Sequence, residues 1–111
     1  MKTRIAINGF GRIGRNLFRL LLNHPTIEVV AINDIADNKT MAHLVKYDSI
    51  HGVLNRKVSF SEDSISIDDK SYLFFHEREI KNLDWKSINV DIIIESTGKF
   101  KTFQEINQHI L

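Results

Sequence analysis

Apolar residues change their spacing along this chain, and each change marks an element. Residues 4–8 (RIAIN) read as a short buried strand, which Gly9 to Gly11 break. Between residues 12 and 23, Ile13, Leu17, Leu20 and Leu21 fall at i, i+4, i+7 and i+8, the stripe of an amphipathic helix. Asn23-His24-Pro25 ends that helix, because proline cannot continue it. Residues 27–33 are a second, β-branched strand, and Asp37 and Asn38 are N-cap candidates for a helix to about Tyr47 with Met41, Leu44 and Val45 along its stripe. Period two then takes over: Val58 and Phe60, Ile65 and Ile67, Tyr72 and Phe74 alternate with polar residues across turns at 61–64 and 68–70, a hairpin or small meander. A turn is expected around Asp84-Trp85. Residues 90–94 are nearly continuous and apolar, a strand expected to be covered on both faces. Phe103, Ile106 and Ile110 continue in a helical pattern without a C-cap, so the chain looks cut rather than finished.

Strand, helix, strand, helix and a later strand and helix predict an α/β fold of right-handed crossovers. The expectation is a Rossmann-type, mostly parallel sheet flanked by helices, with a small antiparallel hairpin insertion, incomplete at the C-terminus. Nothing in the pattern divides residues 1–111, which are expected to be one domain.

Composition narrows the chemistry. The chain has 42% hydrophobic and 26% charged residues, ordinary for a folded domain and far from disorder. It contains no cysteine, which removes disulfides, thiolate metal sites and a cysteine nucleophile together. A formal net charge of +1 exerts little pull on nucleic acid or an anionic membrane. The apolar runs are strand-sized, well short of the ~20 residues of a membrane helix, and no secretory signal is expected, so the protein is read as cytoplasmic.

The string Gly9-Phe10-Gly11-Arg12-Ile13-Gly14 is G-x-G-x-x-G. By itself the pattern is common; between a strand and a helix it has the context of a pyrophosphate site. Gly9 allows the sharp turn, Gly11 keeps a Cβ away from the phosphate, and Gly14 lets the helix pack close to the strand. The free N–H groups around Arg12 and Ile13 would then face the anion, helped by the helix dipole. Asp34 closes the second strand twenty positions after Gly14. A carboxylate there can accept both hydroxyls of an adenine ribose and repel a 2′-phosphate, which favours NAD over NADP. The plainer alternative is a ligand-free turn beside an ordinary N-cap aspartate. Arg12, Arg15 and Arg19 lie at i, i+3 and i+7 and are expected to form a solvated or subunit-facing stripe rather than a nucleic-acid face. The five histidines show no H-x-x-x-H pair, so no metal site is assigned.

Several longer strings resemble one family, glyceraldehyde-3-phosphate dehydrogenase. They are INGFGRIGR at 7–15, Asn33-Asp34, MAHLVKYDSIHG at 41–52, HER ending at Arg78, and ESTGKF at 95–100. Erythrose-4-phosphate dehydrogenase shares most of them. The resemblance implies NAD as cofactor, with amides of Arg12 and Ile13 on the pyrophosphate, Asp34 on the adenine ribose and Arg78 along the adenine. Thr97 and Gly98 would line the middle of the dinucleotide, with Phe100 nearby. The whole candidate cofactor set is Gly9, Phe10, Gly11, Arg12, Ile13, Gly14, Asn33, Asp34, Arg78, Ser96, Thr97, Gly98 and Phe100. For Arg78 the alternative is a surface ion pair with Glu77 or Glu79. The resemblance further implies a homotetrameric parent, and a cysteine and a histidine that act on the aldehyde from beyond Leu111. No catalytic residue is assigned within this chain. Where the family usually has glycine in the hairpin turn, the chain has Asp68-Asp69-Lys70. A reading from another class is a non-catalytic nucleotide- or RNA-binding module that retains the turn.

Overall fold

The computed structural model describes residues 2–48, 52–78 and 83–96. In chain order the elements among these residues are β1 (Thr3–Asn8), α1 (Arg12–Leu21), β2 (Ile27–Asn33), α2 (Asn38–Lys46), β3 (Tyr47–Asp48), β4 (Gly52–Val53), β5 (Val58–Phe60), β6 (Ser64–Ile67), β7 (Lys70–Phe75), a 3-10 turn (Lys86–Ile88) and β8 (Ile92–Glu95). Among the described residues six strands form one mixed sheet in the order β5-β6-β7-β2-β1-β8, and β3 and β4 make a separate two-stranded ribbon. β1 pairs in parallel with β2 and β8, and β2 with β7, while β5, β6 and β7 are antiparallel neighbours. The meander therefore extends the sheet through β7 rather than standing apart from it.

Local chemistry explains the boundaries. Asp37 caps α2, its Oδ1 accepting from the Thr40 N–H at 2.7 Å. That backbone hydrogen bond is the main cause of an Asp37 carboxyl held below the ordinary range. The β6–β7 turn places Asp68 at φ 55°, a left-handed conformation that favours glycine. The Asp68 carboxylate compensates by accepting from the Lys57 N–H at 3.0 Å and from the Arg56 side chain.

The main core lies on one face of the sheet. Ile5, Ile7, Val29, Ile32, Ile65, Ile67, Tyr72 and Phe74 meet Phe18 of α1 and Met41, Ala42 and Val45 of α2 there. Phe10, from the turn after β1, stands edge-on between Phe18 and Phe74, at centroid distances of 5.6 and 5.3 Å. Across the sheet, Trp85 covers Ala6 and Ala31, joined by Phe75, Ile88 and Ile93. Arg4 holds that crossing segment in place, donating to the carbonyls of Asn89 and Ile88 at 3.1 and 3.0 Å.

Three expectations are corrected. First, the buried stripe of α1 is not Ile13-Leu17-Leu20-Leu21: Ile13 and Leu20 are 72% and 79% exposed, and the buried positions are Gly14 and Phe18. The helix docks where its axis comes closest to the sheet, at Gly14. At ~100° per residue this turns Phe18, Leu17 and Leu21 inward and Ile13 and Leu20 aside. The helix also stops at Leu21, before the Pro25 segment. Second, β8, from the apolar run at 90–94, is covered on both faces only in part: it is the outermost strand of the described sheet, and Ile92 is exposed. Its isoleucines still alternate, Ile94 against the main core and Ile93 toward Trp85. Third, Arg15 and Arg19 do not form a solvated stripe. Arg15 donates to the Phe10 carbonyl at 3.0 Å. Arg19 donates to the carbonyls of Val45, Lys46 and Gly52, at 2.9, 3.0 and 2.9 Å. The end of α2 leaves carbonyls without intrahelical partners, and a guanidinium fork reaches several at once, sharing that of Lys46 with the Leu54 N–H. Phe60 is exposed at the end of β5, the other outer strand of the described sheet. The turn around Asp84-Trp85 leads into the 3-10 turn, and the helical pattern from Phe103 to Leu111 lies outside the described residues.

Candidate functional site

β7, β2, β1 and β8 run in parallel and end at one edge of the sheet, with Asn8 opposite both Asn33 and Glu95, and Asn33 opposite Phe75. The chain leaves β1 toward β2 on one side, and its later strand β8 returns on the other. A crevice beyond the strand ends at such a reversal is where open α/β sheets take ligands.

The glycine turn opens this crevice. Gly9 sits at φ 100°, which only glycine adopts freely. At Gly14 a Cβ would meet the Gly9 carbonyl oxygen at 2.3 Å, so the helix lies against the turn with no space for a side chain. At Gly11 a Cβ would meet nothing within 4 Å. Gly11 is also the N-cap of α1, and no side chain caps that end. The first intrahelical bond runs from the Arg15 N–H to the Gly11 carbonyl at 2.9 Å. Open space above an uncapped helix start fits an anion held by backbone N–H groups.

Asp34 joins the turn to the second strand. One carboxylate oxygen accepts from the Phe10 N–H at 2.7 Å and the other from the Ala36 N–H at 3.0 Å. Each oxygen keeps a further lone-pair direction for a ligand hydroxyl. Ser96, at the end of β8, donates its hydroxyl to the Gly9 carbonyl at 2.6 Å and its N–H to the Asn8 carbonyl at 2.9 Å. Thus Phe10, Asp34 and Ser96 are parts of one hydrogen-bonded frame.

Asn33 is buried within that frame. Its Nδ2 donates to Asn8 Oδ1 at 2.8 Å and to the Glu77 carbonyl at 2.9 Å, and its Oδ1 accepts from the Glu77 N–H at 2.8 Å. Asn8, also buried, donates onward to Glu95 Oε2 at 2.8 Å. Side chains therefore lace the ends of β8, β1 and β2 and Glu77, two residues beyond β7, into one row. Sequence reasoning missed Asn8 and Glu77 as members. The available signal was a polar asparagine closing an otherwise apolar strand, where burial demands partners. Arg78 is exposed and makes no ion pair with Glu77. Thr97, Gly98 and Phe100 lie outside the described residues. Among the described residues no group of His, Asp or Glu is arranged to hold a metal, and no helix is long and apolar enough to cross a membrane.

The family model described as "Glyceraldehyde 3-phosphate dehydrogenase, NAD binding domain" matches residues 3–103. The chain belongs to the glyceraldehyde-3-phosphate dehydrogenase family. It is 49% identical over 108 residues to glyceraldehyde-3-phosphate dehydrogenase 1 of Bacillus cereus, covering 97% of this chain and 32% of that protein. It is 47% identical over 110 residues to the glyceraldehyde-3-phosphate dehydrogenase of Geobacillus stearothermophilus, covering 99% and 33%. The Thermotoga maritima enzyme of that name is 48% identical over 109 residues, covering 96% and 33%. The chain thus spans about a third of the length of these relatives. As the NAD-binding domain of a glyceraldehyde-3-phosphate dehydrogenase it takes NAD as cofactor. The uncapped start of α1 and the open space at Gly11 fit the pyrophosphate of that cofactor.

Proposed function

We propose that this chain supplies the cofactor-holding part of a phosphorylating glyceraldehyde-3-phosphate dehydrogenase, a homotetrameric glycolytic enzyme of the cytoplasm. Bound NAD supplies a hydride acceptor for oxidation of an aldehyde to an acyl phosphate. The chain's own residues bind and orient it. Backbone amides at Arg12 and Ile13 hold the pyrophosphate, with Gly9, Gly11 and Gly14 giving the turn its shape. Asp34 accepts from the adenine ribose, and Arg78 flanks the adenine. Ser96, Thr97, Gly98 and Phe100 border the dinucleotide beyond β8. Phe10 and Asn33 belong to the frame behind these contacts. The chain has no cysteine and does not turn over the aldehyde alone.

The observation that carries this reading is the helix start at Gly11: no side chain caps it, and a Cβ there would enter open space. A protein whose turn served only to connect strand and helix would gain stability from a capping side chain at this point. The balanced charge, +1 overall, argues against RNA as the ligand. Calorimetric titration of the purified chain with NAD, ATP and a short RNA tests the proposal. NAD is expected to bind, more tightly than NADP, and RNA not at all. Salt-resistant RNA binding without NAD binding would overturn it.

A further inference from the structure

His76 is the residue after β7, exposed at the ligand edge of the sheet, and the cofactor contacts proposed above do not use it. Its Nδ1 lies 2.8 Å from the carbonyl oxygen of Asp34. A carbonyl only accepts, so Nδ1 carries the hydrogen and donates it. β2 has ended at Asn33, and no other described group donates to the Asp34 carbonyl. The same peptide region is held from its other side, the Asp34 N–H donating to the Phe75 carbonyl at 3.0 Å.

These contacts fix the backbone on both sides of one side chain. The N–H contact with Phe75 sets how Asp34 leaves the sheet, and the imidazole sets the direction of its carbonyl, hence ψ at Asp34. That angle controls where Ala36 lies, and the Ala36 N–H is what holds Asp34 Oδ1 at 3.0 Å. With the imidazole removed, the 34–35 peptide turns toward solvent and the second anchor of the carboxylate moves with it. We infer that His76 is a positioning residue for the Asp34 carboxylate and, through it, for discrimination between a free and a phosphorylated 2′-hydroxyl on the adenine ribose. The inference rests on the reading of Asp34 as the ribose acceptor.

Calorimetric titration with NAD and NADP of the purified wild-type chain, His76→Ala, His76→Asn, Asp34→Ala and the double variant Asp34→Ala/His76→Ala tests it. His76→Ala is expected to weaken NAD by about two- to tenfold, the scale of one hydrogen bond, and to narrow the gap between NAD and NADP. Asparagine places Nδ2 near the position of Nδ1, so His76→Asn should restore both values. In the Asp34→Ala background, His76→Ala should change nothing further, because the group it positions is gone. A structural role alone would lower the melting temperature without moving the cofactor ratio or coupling to Asp34. Wild-type affinity and ratio in His76→Ala, or effects that simply add to those of Asp34→Ala, would overturn the inference while leaving the site reading intact. Failure of the wild-type chain to bind NAD, or unchanged binding in Asp34→Ala, would overturn the site reading and the inference together. Should His76→Ala melt early, His76→Asn decides: a native melt with weakened NAD binding counts against positioning by Nδ1.

Discussion

The three-glycine turn separates two roles that are usually confounded, and a pair of alanine substitutions pulls them apart. Gly14→Ala places a Cβ 2.3 Å from the Gly9 carbonyl oxygen, 3.1 Å from Ser96 Oγ and 3.3 Å from Ile7 Cγ2. Non-bonded atoms rest near ~3.5 Å, so the first contact has to lengthen by about 1 Å. Its partner is backbone, held at the end of β1, and cannot turn aside as a side chain could. The helix must therefore back away from the sheet, loosening Phe18 against Tyr72, now 4.8 Å apart between ring centroids. Overpacking of this kind costs about 1–3 kcal/mol, whereas alanine in place of glycine in a helix gains about 1 kcal/mol. A 2.3 Å approach to backbone belongs at the upper end of that cost, so the clash wins, with a net loss of up to about 2 kcal/mol and weaker NAD binding as the turn shifts. Gly11→Ala meets nothing within 4 Å, and at φ −76° the residue needs no glycine backbone. Its stability should match wild type within about 0.5 kcal/mol. Its methyl group would occupy the space assigned to the pyrophosphate, so NAD affinity should fall at least tenfold. Urea unfolding followed by circular dichroism and calorimetric titration with NAD measure the two quantities on the same samples. Wild-type NAD affinity in Gly11→Ala would refute the phosphate assignment. Wild-type stability in Gly14→Ala would refute the close approach of α1 to the turn.

Other outcomes follow from contacts already described. Asp34→Asn keeps the shape but removes the charge. It should weaken NAD by about tenfold, the scale of a charged hydrogen bond, and narrow the preference over NADP; equal affinities in both proteins would refute the ribose role. Arg19→Ala removes a donor from the carbonyls of Val45, Lys46 and Gly52 and should lower unfolding free energy by about 1–3 kcal/mol without recovery in Arg19→Lys, since an ammonium cannot span the fork. Stability equal to wild type in urea would count against it. The Lys70 hydrogen bond holds the Glu28 carboxyl below its ordinary range, and Lys70 and Arg4 add attraction. A depressed carboxyl contributes stability above its unfolded pKa and loses it as the pH falls through the folded value, so this contribution is complete at neutral pH and is lost in acid, below the ordinary glutamate range. Lys70→Gln should flatten that part of the acid limb of a stability profile; an unchanged limb would contradict the pairing.

What the sequence made legible depended on whether short-range rules governed the residue. The β-branched run of β2, the Asp37 cap and the alternating meander are decided within a few residues, and they were found where the pattern put them. The face of α1 was not, because apolar periodicity ranks Ile13 and Leu20 above Gly14, whereas docking rewards the residue with no side chain. The arginines at 15 and 19 were likewise opaque. Their carbonyl partners belong to Phe10 and to the end of α2, and only the packing of the two helices brings the latter within reach of Arg19. At the site, the turn and Asp34 carry a recognisable spacing. Asn8, Glu77 and His76 carry none, since their contacts bridge strands adjacent only in the folded sheet.

The lacing from Glu95 through Asn8 and Asn33 to Glu77 bears on the thermodynamics of association. Those bonds close within the chain itself, so the strand ends that carry the glycine turn, Asp34 and Ser96 are ordered before any ligand arrives. Little conformational freedom is then left to lose on encounter, and the cleft presents its donors at fixed spacing rather than assembling them around the cofactor. Capture in such a cradle is close to rigid-body fitting.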